Sequence, residues 1–134
     1  HRVVLETLLL KTGLVLAGKD GPPQPAAGEI AAATLRCLRR AVPPAVAGIV
    51  FLSGGQSDVA ATERLNAITA LGGAPWTLSF SFGRALQDAA LQTWHGVPAH
   101  AAAAQAALRH RARCNGLAVQ GKYSAAAERA GPAG

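Results

Sequence analysis

Three short apolar runs punctuate the chain: Val3 to Leu10, Ala47 to Leu52 and Trp76 to Phe82. Each leads into a glycine-bearing loop and then into a helical pattern. The runs have strand length, and they lie too far apart for hairpins. Crossover connections and a parallel sheet are therefore predicted. The order reads β-α-β-α-β-α-α.

The first helix is predicted from Gly28-Glu29 to just before Pro43-Pro44, because proline cannot donate into the helical ladder. Ile30, Thr34, Cys37, Leu38 and Ala41 share one face of it, and Arg36, Arg39 and Arg40 the other. The second opens at Ser57-Asp58, which offers a cap and an acid suited to the helix dipole, and runs to about Leu71 before Gly72-Gly73. A third begins near Arg84, with Leu86, Ala90 and Trp94 on one stripe. An Ala-rich helix then runs from about Pro98 to Cys114. The loop Gly18-Lys19-Asp20-Gly21-Pro22-Pro23 is expected in solvent. The Ala, Gly, Ser and Pro content after Lys122 reads as a flexible tail.

In the third run Trp76, Leu78, Phe80 and Phe82 share one face, and Thr77, Ser79 and Ser81 the other. An isolated three-strand sheet has no use for a polar buried face. The inside or mouth of a barrel does.

Composition narrows the classes. The 134 residues make one ordinary domain, with no apolar stretch long enough for a membrane span and no signal-peptide order at the start. Cys37 and Cys114 lack metal-ligand spacing and read as free thiols of a reducing cytosol. His95, His100 and His110 are scattered in an Ala-rich segment and are expected on the surface. The formal net charge of +6 admits nucleic acid, an anionic small substrate, or an acidic portion of the molecule outside this chain. Arg109-His110-Arg111-Ala112-Arg113 is the densest basic cluster. It has no aromatic partners for stacking bases, so a solvated helix face is the plainer reading.

The chemistry gathers at strand ends. Lys11 closes the first run. A desolvated ammonium has a lowered pKa, which frees the amine to attack carbonyl carbon, although a snorkelling charge is the commoner use of such a lysine. The second run ends Ser53-Gly54-Gly55-Gln56-Ser57 and the third Ser81-Phe82-Gly83-Arg84. Sites of parallel α/β folds lie at the carboxyl ends of strands. Each glycine loop offers backbone N–H groups before a helix, and Arg84 adds a guanidinium for phosphate oxygens. Together they suit a phosphate-bearing carbonyl compound held beside a lysine amine.

The same residues carry a resemblance. Leu5-Glu6-Thr7-Leu8-Leu9-Leu10-Lys11 resembles the strand bearing the Schiff-base lysine of class I fructose-bisphosphate aldolases. Ala31 to Thr34 and Leu38 to Val46 are similar to the helix and loop that follow it. Gly48-Ile49-Val50-Phe51-Leu52-Ser53-Gly54-Gly55-Gln56-Ser57, Leu65-Asn66-Ala67-Ile68, Leu78-Ser79-Phe80-Ser81-Phe82-Gly83-Arg84-Ala85-Leu86-Gln87 and Gln120-Gly121-Lys122-Tyr123 match in order.

The resemblance implies an α/β fold, the C-terminal portion of a (β/α)8 TIM barrel: its last three β/α units over residues 1–122, with a flexible tail over 123–134. It implies reversible cleavage of fructose 1,6-bisphosphate to dihydroxyacetone phosphate and glyceraldehyde 3-phosphate in the cytoplasm. Lys11 would form the imine. Ser53, Gly54, Ser81, Gly83 and Arg84 would hold a substrate phosphate. No metal or cofactor is implied, because the protonated imine is the electron sink. The family's Pro-Asn after the lysine is Thr12-Gly13 here, Phe82 stands for a more usual tyrosine, and the C-terminal tyrosine is absent. The first five strands, with the glutamate acid/base, further lysines and aspartate, lie outside this chain. Glu6 is expected on the strand face opposite Lys11 and cannot replace that base. Two unpaired sheet edges favour partner pairing, including a homo-oligomer. The chain alone is expected to be inactive. The competing class is a non-catalytic anion or nucleic-acid binder built on Arg109 to Arg113.

Overall fold

The computed structural model describes residues 2–18 and 20–131, so His1, Lys19 and the last three residues lie outside the described residues. Three parallel strands form one sheet in the order β1-β2-β3: Leu9–Thr12 (β1), Gly48–Phe51 (β2) and Thr77–Phe80 (β3). Helix α1 (Ala27–Ala41) links β1 to β2, and α2 (Asp58–Leu71) links β2 to β3. Helix α3 (Arg84–Trp94), a 3-10 turn at Pro98–His100, α4 (Ala101–Val119) and α5 (Ala125–Arg129) follow. Among the described residues no helix is long and apolar enough to cross a membrane.

The two crossovers have the expected lengths, and the predicted helix starts hold closely. Ser57 caps α2 by accepting from Ala60 N–H at 3.2 Å. The α1 stripe is turned from its expected setting. Ala31 and Leu35 join Ile30, Thr34 and Leu38 in the interior, while Cys37 lies exposed.

The first run departs most. Residues Leu5–Thr7 form a 3-10 turn, and the strand begins only at Leu9. Thr7 satisfies the Val4 carbonyl twice, by its N–H at 3.2 Å and its hydroxyl at 2.9 Å. This local bonding competes with a ladder that has a partner on one side only. Val3, Val4 and Leu9 remain largely exposed. Glu6 sits in the turn rather than the strand, so strand alternation does not set its direction.

Register divides the sheet into two faces. Leu10, Ile49 and Leu78 form one row, as do Thr12, Phe51 and Phe80. Ile49 and Phe51 are fully buried in a core with Leu35, Leu65 and Ile68, and Leu10, Leu78 and Phe80 pack against it. The intervening row, Lys11, Val50 and Ser79, points the other way, since successive side chains alternate. The helices therefore cover one face and leave the lysine's face open.

Gly48 is fixed by its neighbours in the central strand. A Cβ there would meet Leu9 Cδ2 at 3.0 Å and the Thr77 carbonyl oxygen at 3.2 Å. Trp76, at the start of the third unit, is buried and donates its indole N–H to the Pro43 carbonyl at 2.9 Å, tying the loop after α1 to β3.

Of the segment read as a flexible tail, the described residues 123–131 instead turn back on the body. Tyr123 is buried, its N–H bonds Asn66 Oδ1 at 2.9 Å, and α5 follows it, capped by Ser124.

Candidate active site

The carboxyl ends of the three strands lie side by side. Leu52 N–H donates to the Thr12 carbonyl at 2.9 Å and Ser81 N–H to the Phe51 carbonyl at 2.8 Å, which carries the alignment past the strands into the loops. The loops bearing Ser53-Gly54 and Ser81 to Arg84 thereby open at the same end of the sheet. Lys11 lies within β1, one residue before its end, on the open face. It is exposed among the described residues. The dry environment expected for it is thus not supplied by this chain.

Ser53 is buried, Ser81 half-buried, and Gly54, Gly83 and Arg84 exposed. The two anion-type loops differ at their helix starts. At α2 the first amides are already used, by Ser57 and by Asp58 Oδ1, which accepts from Val59 N–H at 2.8 Å. At α3 no side chain caps the start at Gly83, and its first turn is closed only by backbone bonds from Leu86 and Gln87 N–H to the Gly83 carbonyl, at 3.0 and 3.1 Å. An uncapped helix start carries orphan donors and partial positive charge suited to phosphate. Arg84 lines a cleft of about 250 Å³ with Gln56, Ser57, Asp58 and Asp88. Two carboxylates, Asp58 and Asp88, share that cleft with the guanidinium.

A second cluster was read as solvated surface. Arg111 is only 2 % exposed. Its guanidinium donates to Thr62 Oγ1 at 2.7 Å and to the Asp58 carbonyl at 3.3 Å, and it bonds Glu128 closely. Its Nε lies 3.7 Å from Asp58 Oδ2. Thr62 bonds Asn115 Oδ1 at 2.7 Å in the same interior. The Tyr123 hydroxyl donates to Glu128 Oε2 at 2.6 Å. One buried cation thus pins α2, α4 and α5 together. The signal lay in the helical spacing Ala104, Arg111, Asn115, Ala118, a buried stripe of α4 that the basic run concealed.

The pKa shifts follow from this burial. Desolvation, then the Glu128 hydrogen bond, pushes the Tyr123 phenol well up. Desolvation and the Glu128 charge raise the Cys114 thiol. Burial pushes the Glu128 carboxyl upward, but hydrogen bonds from Tyr123 and Arg111 outweigh it and hold the group below its ordinary value. His110, expected on the surface, is half-buried against Cys114 and Glu128.

Comparison with known proteins places the chain among relatives. The model of a family described as glycolytic, fructose-bisphosphate aldolase class-I, matches residues 1–133. Fructose-bisphosphate aldolase of Dictyostelium discoideum is 48% identical over 92% of this chain and 35% of its own length. Fructose-bisphosphate aldolase 1 of Toxoplasma gondii is 50% identical over 95% of this chain and 35% of its own length. A crystal structure of fructose-bisphosphate aldolase from Plasmodium falciparum, solved with TRAP and a small-molecule inhibitor, superposes with a TM-score of 0.88 at 48% identity, covering 92% of this chain and 35% of that one. The chain spans about a third of the length of the relatives it matches, and its sheet is three parallel β/α units of their TIM-barrel fold. On sequence and on structure alike, the chain belongs to the class I fructose-bisphosphate aldolase family.

Proposed function

We propose that these three β/α units carry the imine-forming lysine and one substrate-phosphate site of a fructose-bisphosphate aldolase. The observation that carries this reading is the shared carboxyl end: Lys11 on the open face of β1, and the Ser53-Gly54 and Ser81-to-Arg84 loops following β2 and β3. The Lys11 amine attacks the C2 carbonyl of fructose 1,6-bisphosphate and, after loss of water, forms a protonated imine. A base from the strands outside this chain takes the C4 hydroxyl proton as the C3–C4 bond breaks; the bond's electron pair enters the imine to give an enamine, and glyceraldehyde 3-phosphate leaves. Protonation and hydrolysis then release dihydroxyacetone phosphate and the free amine. Gly83 and Arg84, with the uncapped start of α3, hold a phosphate, and Ser53, Gly54 and Ser81 complete its cradle.

Residues 1–122 form the partial barrel in this reading. The open face and the two free sheet edges take the remaining strands, and the assembled barrel is a candidate homo-oligomer. The two unpaired cysteines suit a reducing compartment, and the cytoplasm is our assignment, although one relative, aldolase 1 of Chlamydomonas reinhardtii, is named chloroplastic. A nucleic-acid surface on Arg109 to Arg113 is disfavoured, because Arg111 is spent in the interior.

The test is a chimera in which this chain replaces the matching region of the Dictyostelium discoideum relative. Cleavage of fructose 1,6-bisphosphate that disappears with Lys11→Met supports the reading. Turnover unaffected by Lys11→Met overturns it.

A further inference from the structure

His110 and Cys114 stand one turn apart on α4, and Glu128 of α5 faces them. The donor atoms of the three lie within 4.8 Å of one another. His110 Nε2 is 3.7 Å from Cys114 Sγ and 3.8 Å from Glu128 Oε1. Two ligand atoms on one tetrahedral zinc, with bonds of about 2.0–2.3 Å, are separated by about 3.3–3.6 Å. The two pairs that include His110 need a few tenths of an ångström of closure, and the Cys114–Glu128 pair, within 4.8 Å, closes as the carboxylate swings toward the thiol. We propose that His110, Cys114 and Glu128 form a three-ligand site for a zinc-class divalent cation, with a fourth position open to water.

Several features suit this assignment. The thiolate and carboxylate together neutralise a dication, and Asp58 Oδ2, 3.7 Å from Arg111 Nε, stays as the counter-charge of the buried guanidinium. Glu128 has lone pairs to spare: Arg111 takes one on Oε1 and Tyr123 one on Oε2. Those two donors also fix the carboxylate's orientation, as outer partners of metal ligands commonly do. Cys114 is 1 % exposed, whereas the His110 and Glu128 side chains are 11 and 23 % exposed, so the site has a dry floor and a reachable mouth. The thiol's partners are weak, a 3.9 Å contact to the Ala127 carbonyl, the His110 ring at 3.7 Å and the Glu128 carboxylate. Loading exchanges the thiol proton, released to solvent, for a metal–sulfur bond. The site lies among α4 and α5, apart from the strand-end residues, and its role would be to staple α5 to α4.

Cobalt(II) reports such a site directly. Titration of the purified, reduced 134-residue chain is expected to give a thiolate-to-cobalt charge-transfer band and strong visible ligand-field bands at one equivalent, both abolished by zinc. Cys37→Ser should keep the bands and Cys114→Ser should lose the charge-transfer band. His110→Ala, at a half-buried position, should weaken cobalt binding by about tenfold or more, since even orienting partners are worth about 10–100-fold. No band in the native chain, its loss in Cys37→Ser, or unchanged affinity in His110→Ala would each overturn the proposal.

Discussion

Lys11 and Ser79 stand in one row of the sheet, separated by Val50, on the face that no helix covers among the described residues. A cation and a hydroxyl at matched positions on an open face are what a polar barrel interior requires. Treating the chimera with borohydride in the presence of dihydroxyacetone phosphate should therefore trap a covalent adduct on Lys11, located by peptide mass. An adduct on Lys19 or Lys122 instead would remove Lys11 from the chemistry.

Arg84 begins α3 where no side chain caps the helix. In the chimera, Arg84→Ala should weaken binding of the phosphorylated substrate by about 1.5–3 kcal/mol, the range for a charge-assisted hydrogen bond. The loss should nearly vanish for the sugar without phosphate. Calorimetry on both ligands checks this, and equal losses would make Arg84 structural.

The 134-residue chain by itself should show no appreciable aldolase turnover. General acid–base help is worth about 10²–10⁴-fold, and among the described residues none is positioned to give it. Glu6 lies in a 3-10 turn before β1. Asp58 is occupied at the start of α2 and beside Arg111. Tyr123 is committed to Glu128. A coupled assay on mass-verified chain, from a host lacking its own aldolase, measures this. A rate near that of a full-length relative would mean that copies assemble to rebuild the site.

Arg111→Ala should destabilise the fold by about 3–5 kcal/mol, because breaking a buried ion pair from one side leaves its partner uncompensated. Arg111→Lys should recover only a small part, since a single ammonium cannot reach Thr62, the Asp58 carbonyl and Glu128 together. Urea midpoints of the three proteins decide this. A full rescue by lysine would show that charge alone matters there.

The sequence patterns with local causes were legible. The Pro43-Pro44 stop, the Ser57 cap and the Gly72-Gly73 stop each act within a few residues, and α1 and α2 end close to where they predict. What escaped depends on distant parts of the chain. The apolar run from Val3 reads as a buried strand only if both its sides have partners, and here β1 is an edge. Arg111 reads as surface in its basic run, and its burial is set by Thr62 and Glu128, 49 and 17 residues away. Tyr123 was joined to a featureless tail because its acceptor, Glu128, lies in a helix of five residues, too short to leave a periodic signal. The strand-end loops were found as motifs, but the difference between the capped α2 and the uncapped α3 needed the structure.

The Trp76–Pro43 bond makes the molecule its own optical reporter. One indole is 5 % exposed and hydrogen-bonded, while Trp94, the other, is 43 % exposed at the end of α3. Acrylamide reaches the second far more readily than the first, so the quenched and protected emission separate by residue. The protected emission watches the seam between the α1–β2 loop and β3, the part of the sheet that must hold its shape when further strands close against the open face.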